Sequence, residues 1–343
     1  MLGMPEALFG KTLKEIEEVV SAYKMPRYTA TQICQWLYRK NIISIDEMTN
    51  LPKSFRELLK ENYTIGKVPP LTFEVSADGT KKYLFQAGKG KAIESAYIPD
   101  NDRHTLCVSS QIGCKMGCVF CATGKQGFQG QLDTHEILNQ MVSIPEFPQL
   151  TNLVYMGMGE PFDNLTNVMK SLEILTSEWG FAWSPRRITV STIGIIPGMK
   201  IFIEKSNCHL AVSLHSPFED ERAMLMPMQS RYSLREIIKL IKAYDFGRQR
   251  RISFEYILFD GLNVSRKHVN ELARLLDGIR CRINLIRFHE VPGVPYKSPD
   301  DQLIKQFMNA LNSKGIITTL RTSRGQDIQA ACGLLAQTRA QHQ

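Results

Sequence analysis

The alternation of short strand-like runs with longer amphipathic runs, from about residue 104 onward, limits the fold more than any other feature of this chain. The strand-like runs are HTLCVSS, LVYMGMG, RITVST, HLAVSL, ISFEYIL, RINLIRF and ITTLRTS. Most are separated by helical patterns such as THEILNQMVSIP, LTNVMKSLEILTSEW, SLREIIKLIKAYD and VNELARLLDGI. About six or seven such βα units predict a parallel sheet closed into a barrel rather than left open. We therefore expect an α/β fold built on a full or partial TIM-like βα barrel.

The first hundred residues follow other patterns and predict two smaller units. Residues 1–65 carry three helical patterns, LKEIEEVVSAY, TATQICQWLYRKN and DEMTNLPKSFRELLKENY, and form a predicted helical domain. Residues 66–100 alternate around Asp78-Gly79, a dipeptide typical of hairpin turns, and predict a β-hairpin linker segment. Residues 101–343 form the predicted core domain, whose last residues, QTRAQHQ, we expect to fray.

Charge and cysteine content narrow the partners and the compartment. The formal net charge is +8, which favours a polyanionic partner and nucleic acid above all. No apolar run reaches the roughly 18 residues of a membrane span, and the N-terminus has no signal-peptide core. We therefore expect a cytoplasmic protein without a membrane partner. There the eight cysteines should stay reduced, and they are better explained as ligands or reactive thiols than as a disulfide framework.

Basic residues that suit RNA binding occur in four places. Each group is also compatible with an ordinary solvated surface, and the aromatic residues between the N-terminal ones fit a helical core equally well. The candidates are Lys24, Arg27, Arg39, Lys40, Lys53, Arg56 and Lys60 in the helical domain, then Arg186-Arg187, then Arg248, Arg250 and Arg251, and finally Arg321 and Arg324.

Cys114, Cys118 and Cys121 have C-x3-C-x2-C spacing in one short loop after the first core strand. A structural zinc site needs four protein ligands, whereas three thiolates on a [4Fe–4S] cluster leave one iron open to a substrate. The spacing alone leaves open a cluster, a zinc site with a distant fourth ligand, and three unrelated thiols. In a βα barrel this loop would lie at the carboxyl end of the strands, where active sites are found.

Polar residues also follow later strands. Gly159 and Glu160 end the second strand within GMGEP, where a glycine lets the backbone approach a ligand and a carboxylate suits an ammonium group. Further candidates for ligand binding at strand ends are Ser191, Ser213, Leu214 and His215. Each is also compatible with an ordinary turn, but their shared position after successive strands favours one site.

Taken together, these motifs resemble the radical S-adenosylmethionine superfamily, and most closely its RlmN/Cfr branch of RNA methyltransferases. The cysteine loop is similar to the cluster motif of the superfamily, and GMGEP to its segment for the methionine amino group. IESAYIP, CVSSQIGC, VSLHS, NLIRFHEVPG and RGQDIQAACGLL are similar to runs of that branch, and the resemblance extends from about residue 11 to 336. It implies a partial (β/α)6-type, TIM-like barrel of the radical SAM kind.

The resemblance implies roles for further residues. Cys332 matches the cysteine that carries a methyl group, and Cys107 matches the one that resolves the protein–RNA adduct by forming a disulfide with Cys332. Glu94 matches the proton acceptor of the family. His289 stands where many members have an asparagine that contacts the cofactor, and an imidazole can donate or accept a hydrogen bond as an amide does.

The implied reaction is methylation of C2 of an adenosine in the peptidyl transferase centre of 23S rRNA and of the adenosine 3′ of the tRNA anticodon. It implies a [4Fe–4S] cluster, two molecules of S-adenosylmethionine per turnover, and an external flavodoxin-like or ferredoxin-like electron donor. We expect the enzyme to be a monomer. The alternatives are C8-methylation of the same rRNA adenosine, the same cofactor chemistry on a peptide or small molecule, and a non-catalytic, zinc-stabilised RNA-binding protein.

Overall fold

The computed structural model describes residues 5–88, 90–247 and 250–336. The expected frayed tail, QTRAQHQ, and the candidate RNA contact Arg248 lie outside these ranges. None of the helices within them has the length and apolar character that a membrane crossing requires.

The N-terminal segment is helical, with one short strand at each end. Its elements are β1 (Glu6–Ala7), α1 (Leu13–Ala22), α2 (Tyr28–Cys34), α3 (Lys53–Asn62) and β2 (Tyr63–Thr64). Strands β1 and β2 pair in parallel and bring the two ends of the segment together. Helix α1 begins at a capping box in which the Thr12 hydroxyl accepts a hydrogen bond from the Glu15 amide, and the Glu15 carboxylate accepts one from the Thr12 amide.

The core begins with antiparallel strands and continues with βα units. Its elements up to residue 205 are β3 (Thr72–Val75), β4 (Lys81–Ala87), β5 (Lys91–Asp100), β6 (Arg103–Cys107), β7 (Gln111–Gly113), α4 (Ala122–Gln126), β8 (Phe128–Gln131), α5 (Thr134–Val142), β9 (Asn152–Tyr155), α6 (Leu165–Thr176), β10 (Ile188–Thr192) and α7 (Ile196–Lys205). The remainder are β11 (His209–Ser213), α8 (Glu219–Leu225), α9 (Leu234–Lys242), β12 (Ile252–Leu258), α10 (Arg266–Leu276), β13 (Cys281–Arg287), α11 (Asp301–Ser313) and β14 (Ile317–Leu320).

All seven strand-like runs predicted for the core form strands, and these strands are parallel. They are β6 and β9 to β14, and their order in the sheet follows their order in the chain. In the described structure β14 lies at one edge of the sheet and does not pair with β6. The barrel is therefore partial, as expected. Strand β12 is buried along its whole length because neighbouring strands and helices cover both of its faces.

The segment predicted as a β-hairpin linker has strands that belong to the main sheet. Strands β3 and β4 form the hairpin around Asp78-Gly79, with Val75 opposite Lys81. Strand β5 pairs with β4 on one side and with β6 on the other, so ten strands of the described chain form one sheet. Sequence patterns reveal the alternation within these strands, but they do not reveal that β5 pairs with β6 of the core sheet.

Candidate active site

The three cysteines of the C-x3-C-x2-C loop line one cavity at the carboxyl ends of the parallel strands. The loop runs from the end of β7 to the start of α4, and the Cys121 amide donates a hydrogen bond of 3.2 Å to the Cys118 carbonyl. The backbone of Gly113 has a φ of +70° and passes close to Gly127. A β-carbon at this position would lie 1.9 Å from the Gly127 carbonyl oxygen, so only glycine allows the loop to close here. Local sterics thus fix glycine next to the first thiol.

The sulfur atoms of Cys114, Cys118 and Cys121 are suited to bind an iron–sulfur cluster. Burial raises the pKa of the Cys114 thiol to about 12 and also raises the pKa of the Cys118 thiol well above its usual range, so binding of a metal as thiolates would release protons. Among the described residues no group of three His, Cys, Asp or Glu side chains is placed to hold a metal ion. A cluster takes one thiolate per iron and does not need three sulfurs to converge on one point, whereas a zinc ion does.

The Glu160 carboxylate lines this cavity and accepts hydrogen bonds from the segments that follow β9 and β10. The Thr192 hydroxyl donates to its carboxylate at 2.7 Å, and the amides of Ile193 and Phe162 donate at 2.9 and 3.1 Å. Burial raises the pKa of this carboxyl to about 7, while these hydrogen bonds oppose the rise. The carboxylate therefore holds the segments after β9 and β10 in register and can still receive a cation from the cavity.

Of the predicted ligand-binding residues at strand ends, Gly159, Ser191, Ser213, His215 and His289 line the cavity with Glu160. Burial lowers the pKa of His215 to about 3, so this imidazole is neutral, and its Nδ1 accepts a hydrogen bond of 3.0 Å from the Ile257 amide. Burial also lowers the pKa of His289.

Leu214 is placed differently from its neighbours. Its side chain is fully buried and is not part of the cavity wall, and its amide donates to the Glu255 carbonyl at 2.9 Å. Strand β11 ends at Ser213, and His215 has a φ of +57°, so the backbone turns directly after Leu214. Leu214 packs in the core, while Ser213 and His215 line the cavity.

Cys107 and Cys332 line the same cavity as the cysteine loop. Cys107 ends β6 and is buried in a small apolar cluster with Ala96, Val154 and Ala330. Burial raises the pKa of its thiol to about 12, the nearby Cys332 raises it further, and Arg321 lowers it. Cys332 is exposed toward the cavity opening, and both thiols are free, so the disulfide implied by the resemblance is not formed here.

Glu94 lies outside the cavity wall, although it is buried on β5. One carboxylate oxygen lies 3.5 Å from the Lys82 ammonium, and the other accepts a hydrogen bond of 2.9 Å from the Ala336 amide. Ala336 is four residues beyond Cys332 in the chain, so Glu94 contacts the segment that carries this cysteine.

Glu255 is a member of the site that the sequence motifs did not single out. Its carboxylate lines the cavity, is buried in β12 and accepts hydrogen bonds from Ser253 at 2.9 Å and Asn284 at 2.8 Å. Its second oxygen lies 3.9 Å from the Arg321 guanidinium. A glutamate in the centre of the apolar run ISFEYIL was the signal, because a carboxylate there must be paired or functional.

Arg222 is a second buried charge that the sequence patterns did not single out. It is 1% exposed on α8 and donates to the backbone carbonyls of Ile193 at 2.7 Å and Ser213 at 3.1 Å. Burial raises the pKa of Cys118, and the Arg222 guanidinium partly opposes that rise. Arg222 thus ties the ends of β10 and β11 together and places a positive charge near the cysteine loop.

Several candidate RNA contacts are used inside the protein instead. Arg39 donates to the carbonyls of Glu178 and Phe181, Arg187 to those of Leu150 and Thr151, and Arg250 to those of Phe202, Ile203 and Cys208. Arg186, Arg251, Arg321 and Arg324 line cavities of the barrel.

A partial βα barrel that presents a C-x3-C-x2-C loop at its carboxyl mouth defines a class, the radical S-adenosylmethionine enzymes. The model of the Radical SAM superfamily matches residues 108–276. The model of the ribosomal RNA large subunit methyltransferase N-terminal domain matches residues 7–65. A crystal structure of a radical SAM methyltransferase from Sphaerobacter thermophilus superposes with a TM-score of 0.90 at 41% identity, over 97% of this chain and 100% of that one.

Curated relatives make the assignment more specific. A "Probable dual-specificity RNA methyltransferase RlmN" of Parabacteroides distasonis is 54% identical over 96% of each chain. The "Dual-specificity RNA methyltransferase RlmN" of Desulfotalea psychrophila is 43% identical over 95% of this chain and 94% of that protein. The chain belongs to the RlmN family of radical S-adenosylmethionine RNA methyltransferases, and the zinc-stabilised binding module is not favoured.

Proposed function

We propose that this enzyme methylates C2 of an adenosine in the peptidyl transferase centre of 23S rRNA and of the adenosine 3′ of the tRNA anticodon. The observation that supports this most is the meeting of Cys107 and Cys332 in the cavity that the cysteine loop also lines. C2 of adenine has no lone pair to attack a methyl donor, so a methyl carrier within reach of the cofactor site is needed. An exposed thiol beside that site meets this need.

The proposed holders of the cofactors are residues of the cavity wall. Cys114, Cys118 and Cys121 would bind three irons of a [4Fe–4S] cluster, and the segments at Gly159, Ser191 and Ser213 would bind S-adenosylmethionine. When bound, these groups supply the methyl group and the hydrogen-abstracting radical chemistry, with two molecules of S-adenosylmethionine used per turnover.

In this proposal the thiolate of Cys332 accepts the methyl group and delivers its carbon to adenine. The radical adduct would lose one electron, which the oxidised cluster could take back, and its C2 proton, which Glu94 would accept. Glu94 contacts the segment that carries Cys332 through the Ala336 amide. Cys107 then attacks the sulfur side of the adduct. The bond between Cys332 and the RNA carbon breaks, and its electron pair stays with the carbon, which takes up a proton to complete the methyl group. A disulfide between the two cysteines is left, and two electrons reduce it before the next cycle.

The finer partners belong to the same proposal. An external electron donor of the flavodoxin or ferredoxin type supplies the single electrons, since the reaction consumes electrons from outside the chain. The enzyme acts as a monomer in the cytoplasm, where both RNA substrates and reducing conditions occur. His289 contributes a polar contact to the cofactor from the position that an amide occupies in many relatives.

Mass spectrometry of nucleosides from digested RNA tests the proposal. The anaerobically reconstituted enzyme is incubated with an rRNA fragment or a tRNA, and we expect 2-methyladenosine from both. Cys332→Ala should give none, while Cys281→Ala, a matched change of a thiol outside the cavity wall, should leave the product unchanged. C8-methyladenosine without the C2 isomer would contradict the proposed position, and unmodified RNA of both kinds would contradict the proposed substrate.

A further inference from the structure

Arg222 is a charged residue inside the barrel to which the proposed reaction gives no role. The residue is 1% exposed and lies on α8, which follows the end of β11. Its guanidinium donates hydrogen bonds to the side-chain carbonyl of Gln229 and to the backbone carbonyls of Ile193 and Ser213. These three partners are neutral dipoles, so none of them supplies the negative charge that would neutralise a buried cation.

No carboxylate in the described part of the chain lies within the 4.0 Å of an ion pair from Arg222. Glu219, one turn earlier on α8, acts on it from further away, and the Glu219 carboxylate lies 3.9 Å from Arg235. Glu160 lies across Ile193, whose amide donates to Glu160 and whose carbonyl accepts from Arg222. Burial lowers the pKa of Arg222 to about 10, so its guanidinium remains charged at neutral pH. The barrel therefore contains a buried positive charge without an ion-pair partner among the described residues.

One nitrogen of the same guanidinium also lacks a hydrogen-bond partner. Nε of Arg222 is buried, and no described residue accepts a hydrogen bond from it. A buried donor without an acceptor is costly, most of all in a charged group. A free charge and a free donor together suit an anionic group with sulfur acceptors, because hydrogen bonds to cluster sulfurs are a known way for a protein to tune them.

Helix α8 also supports the cysteine loop. The Leu225 carbonyl, at the end of this helix, accepts a hydrogen bond of 3.1 Å from the amide of Val119, the residue after Cys118. Arg222 lies one turn before Leu225, and its charge acts on both the Cys118 thiol and the His215 imidazole of the cavity wall. Arg222 is not itself part of that wall. The helix that holds the loop of the thiols therefore fixes this cation beside them.

We propose that Arg222 is the counter-charge of the iron–sulfur cluster and raises its reduction potential. This inference rests on the proposed cluster site and adds a positioning residue that acts through the cluster. With three thiolate ligands a [4Fe–4S] cluster has one net negative charge when oxidised and two after it takes one electron from the external donor. A fixed positive charge nearby stabilises the more negative, reduced form. An arginine that only joined β10 to β11 would not affect the potential.

A redox titration followed by electron paramagnetic resonance tests this role. The enzyme is reconstituted anaerobically, its iron and sulfide are assayed, and no RNA or S-adenosylmethionine is added. Arg222→Gln removes the charge but keeps an amide donor. We expect about tenfold less reduced cluster at a fixed potential, which for one electron is a fall of about 59 mV in the midpoint. Arg222→Lys keeps the charge and should stay near the midpoint of the unmodified enzyme.

Arg250→Gln is the matched control. Arg250 is a partly buried arginine that also binds backbone carbonyls, but it lies outside the wall of the cavity that the cysteine loop lines. Its replacement should leave the midpoint unchanged. Equal midpoints in Arg222→Gln and the unmodified enzyme would overturn the proposal, as would a midpoint of Arg222→Lys as low as that of Arg222→Gln.

A second variant decides if Arg222→Gln does not retain the cluster. Gln229→Glu places a carboxylate at a position that already accepts a hydrogen bond from Arg222, so it neutralises the charge without removing that bond. The midpoint should fall in this variant too, and an unchanged midpoint would overturn the proposal. An unmodified enzyme without a [4Fe–4S] signal would instead overturn the proposed cluster site, and failure of a loaded enzyme to methylate RNA would overturn the proposed function.

Discussion

Two thiols share the active-site cavity, but their surroundings give them different reactivity. Cys107 lies in an apolar cluster where burial raises its pKa to about 12, so it is a protonated thiol at neutral pH. Partial loss of hydration also raises the pKa of Cys332, but the charge of Arg321 opposes this rise. The side chain of Cys332 is exposed and lines the cavity. Since thiolates are the nucleophiles, these surroundings support the proposed role of Cys332 as the methyl acceptor and of Cys107 in a later step.

Replacing Cys107 tests whether Cys332 carries the methyl carbon and Cys107 resolves the adduct. Cys107→Ala should still methylate Cys332 and attack RNA, but it lacks the thiol that resolves the adduct. We expect a covalent protein–RNA species that migrates slowly on a denaturing gel with labelled RNA. The double variant Cys107→Ala/Cys332→Ala should give no such band. An adduct that persists in the double variant would show that another residue carries the carbon.

Arg321 should set the pH at which Cys332 accepts its methyl group. Because its guanidinium lowers the pKa of the thiol, Arg321→Met should raise that pKa and move the rate profile of Cys332 methylation to higher pH. At a pH below the pKa, a thiol whose pKa is higher by one has about tenfold less thiolate. Intact mass measured against time at several pH values gives the profile. Arg321→Lys keeps the charge and should stay near the unmodified profile, and identical profiles for Met and Lys would refute this role.

At the scale of elements, the hairpin of β3 and β4 holds the segment that carries Cys332. Asp78, in the turn, accepts a hydrogen bond of 2.9 Å from the Gly325 amide. In return, Asp327 accepts hydrogen bonds of 2.5 Å from the Ser76 hydroxyl and 3.1 Å from the Ala77 amide. The hairpin that sequence patterns describe only as a linker therefore positions a reactive residue about 250 positions later in the chain.

Asp78→Ala should loosen this segment without unfolding the barrel. We expect faster hydrogen exchange in residues 321–336 and slower methylation of Cys332, because the lost hydrogen bonds stabilise the docked segment by about 1–3 kcal/mol. The pKa of Asp78 is lowered to about 2, so docking is fully present above about pH 4 and weakens only as pH falls toward 2. Asp102→Ala, in a neighbouring turn, is the control. Equal hydrogen-exchange rates of residues 321–336 in the two variants would contradict a role of Asp78 in holding this segment.

Sequence periodicity predicted the parallel strands because the alternation of βα units is a local property. It also predicted that most of the candidate cofactor-binding residues share one cavity, since the ends of parallel strands meet at one mouth of a barrel. It could not place Leu214, whose direction depends on the backbone turn at His215, or show that Glu94 lies behind the cavity wall. It did not bring Glu255 and Arg321 together, because they come from different parts of the chain and only the tertiary fold places them 3.9 Å apart.

On the scale of the whole molecule, the N-terminal helices are docked on the barrel through polar and aromatic contacts. The Arg39 guanidinium donates to the Glu178 carbonyl at 2.7 Å, and Lys170 lies 2.6 Å from the Glu15 carboxylate. Phe181, in the loop after α6, is 7% exposed and joins the two parts in one aromatic cluster. Such a buried interface predicts that both parts unfold together rather than as independent domains.

Phe181→Ala should therefore weaken the entire molecule. The ring packs against Phe9 and Tyr38 of the N-terminal part and Phe147 of the core, with centroid distances of 6.4, 5.4 and 6.0 Å. Truncation leaves a cavity between them and should cost about 3–5 kcal/mol, with unfolding still in one calorimetric transition. Phe73→Ala, at a ring that is 54% exposed, removes the same atoms and should cost much less. Two separate transitions in the unmodified protein would contradict the single cooperative unit.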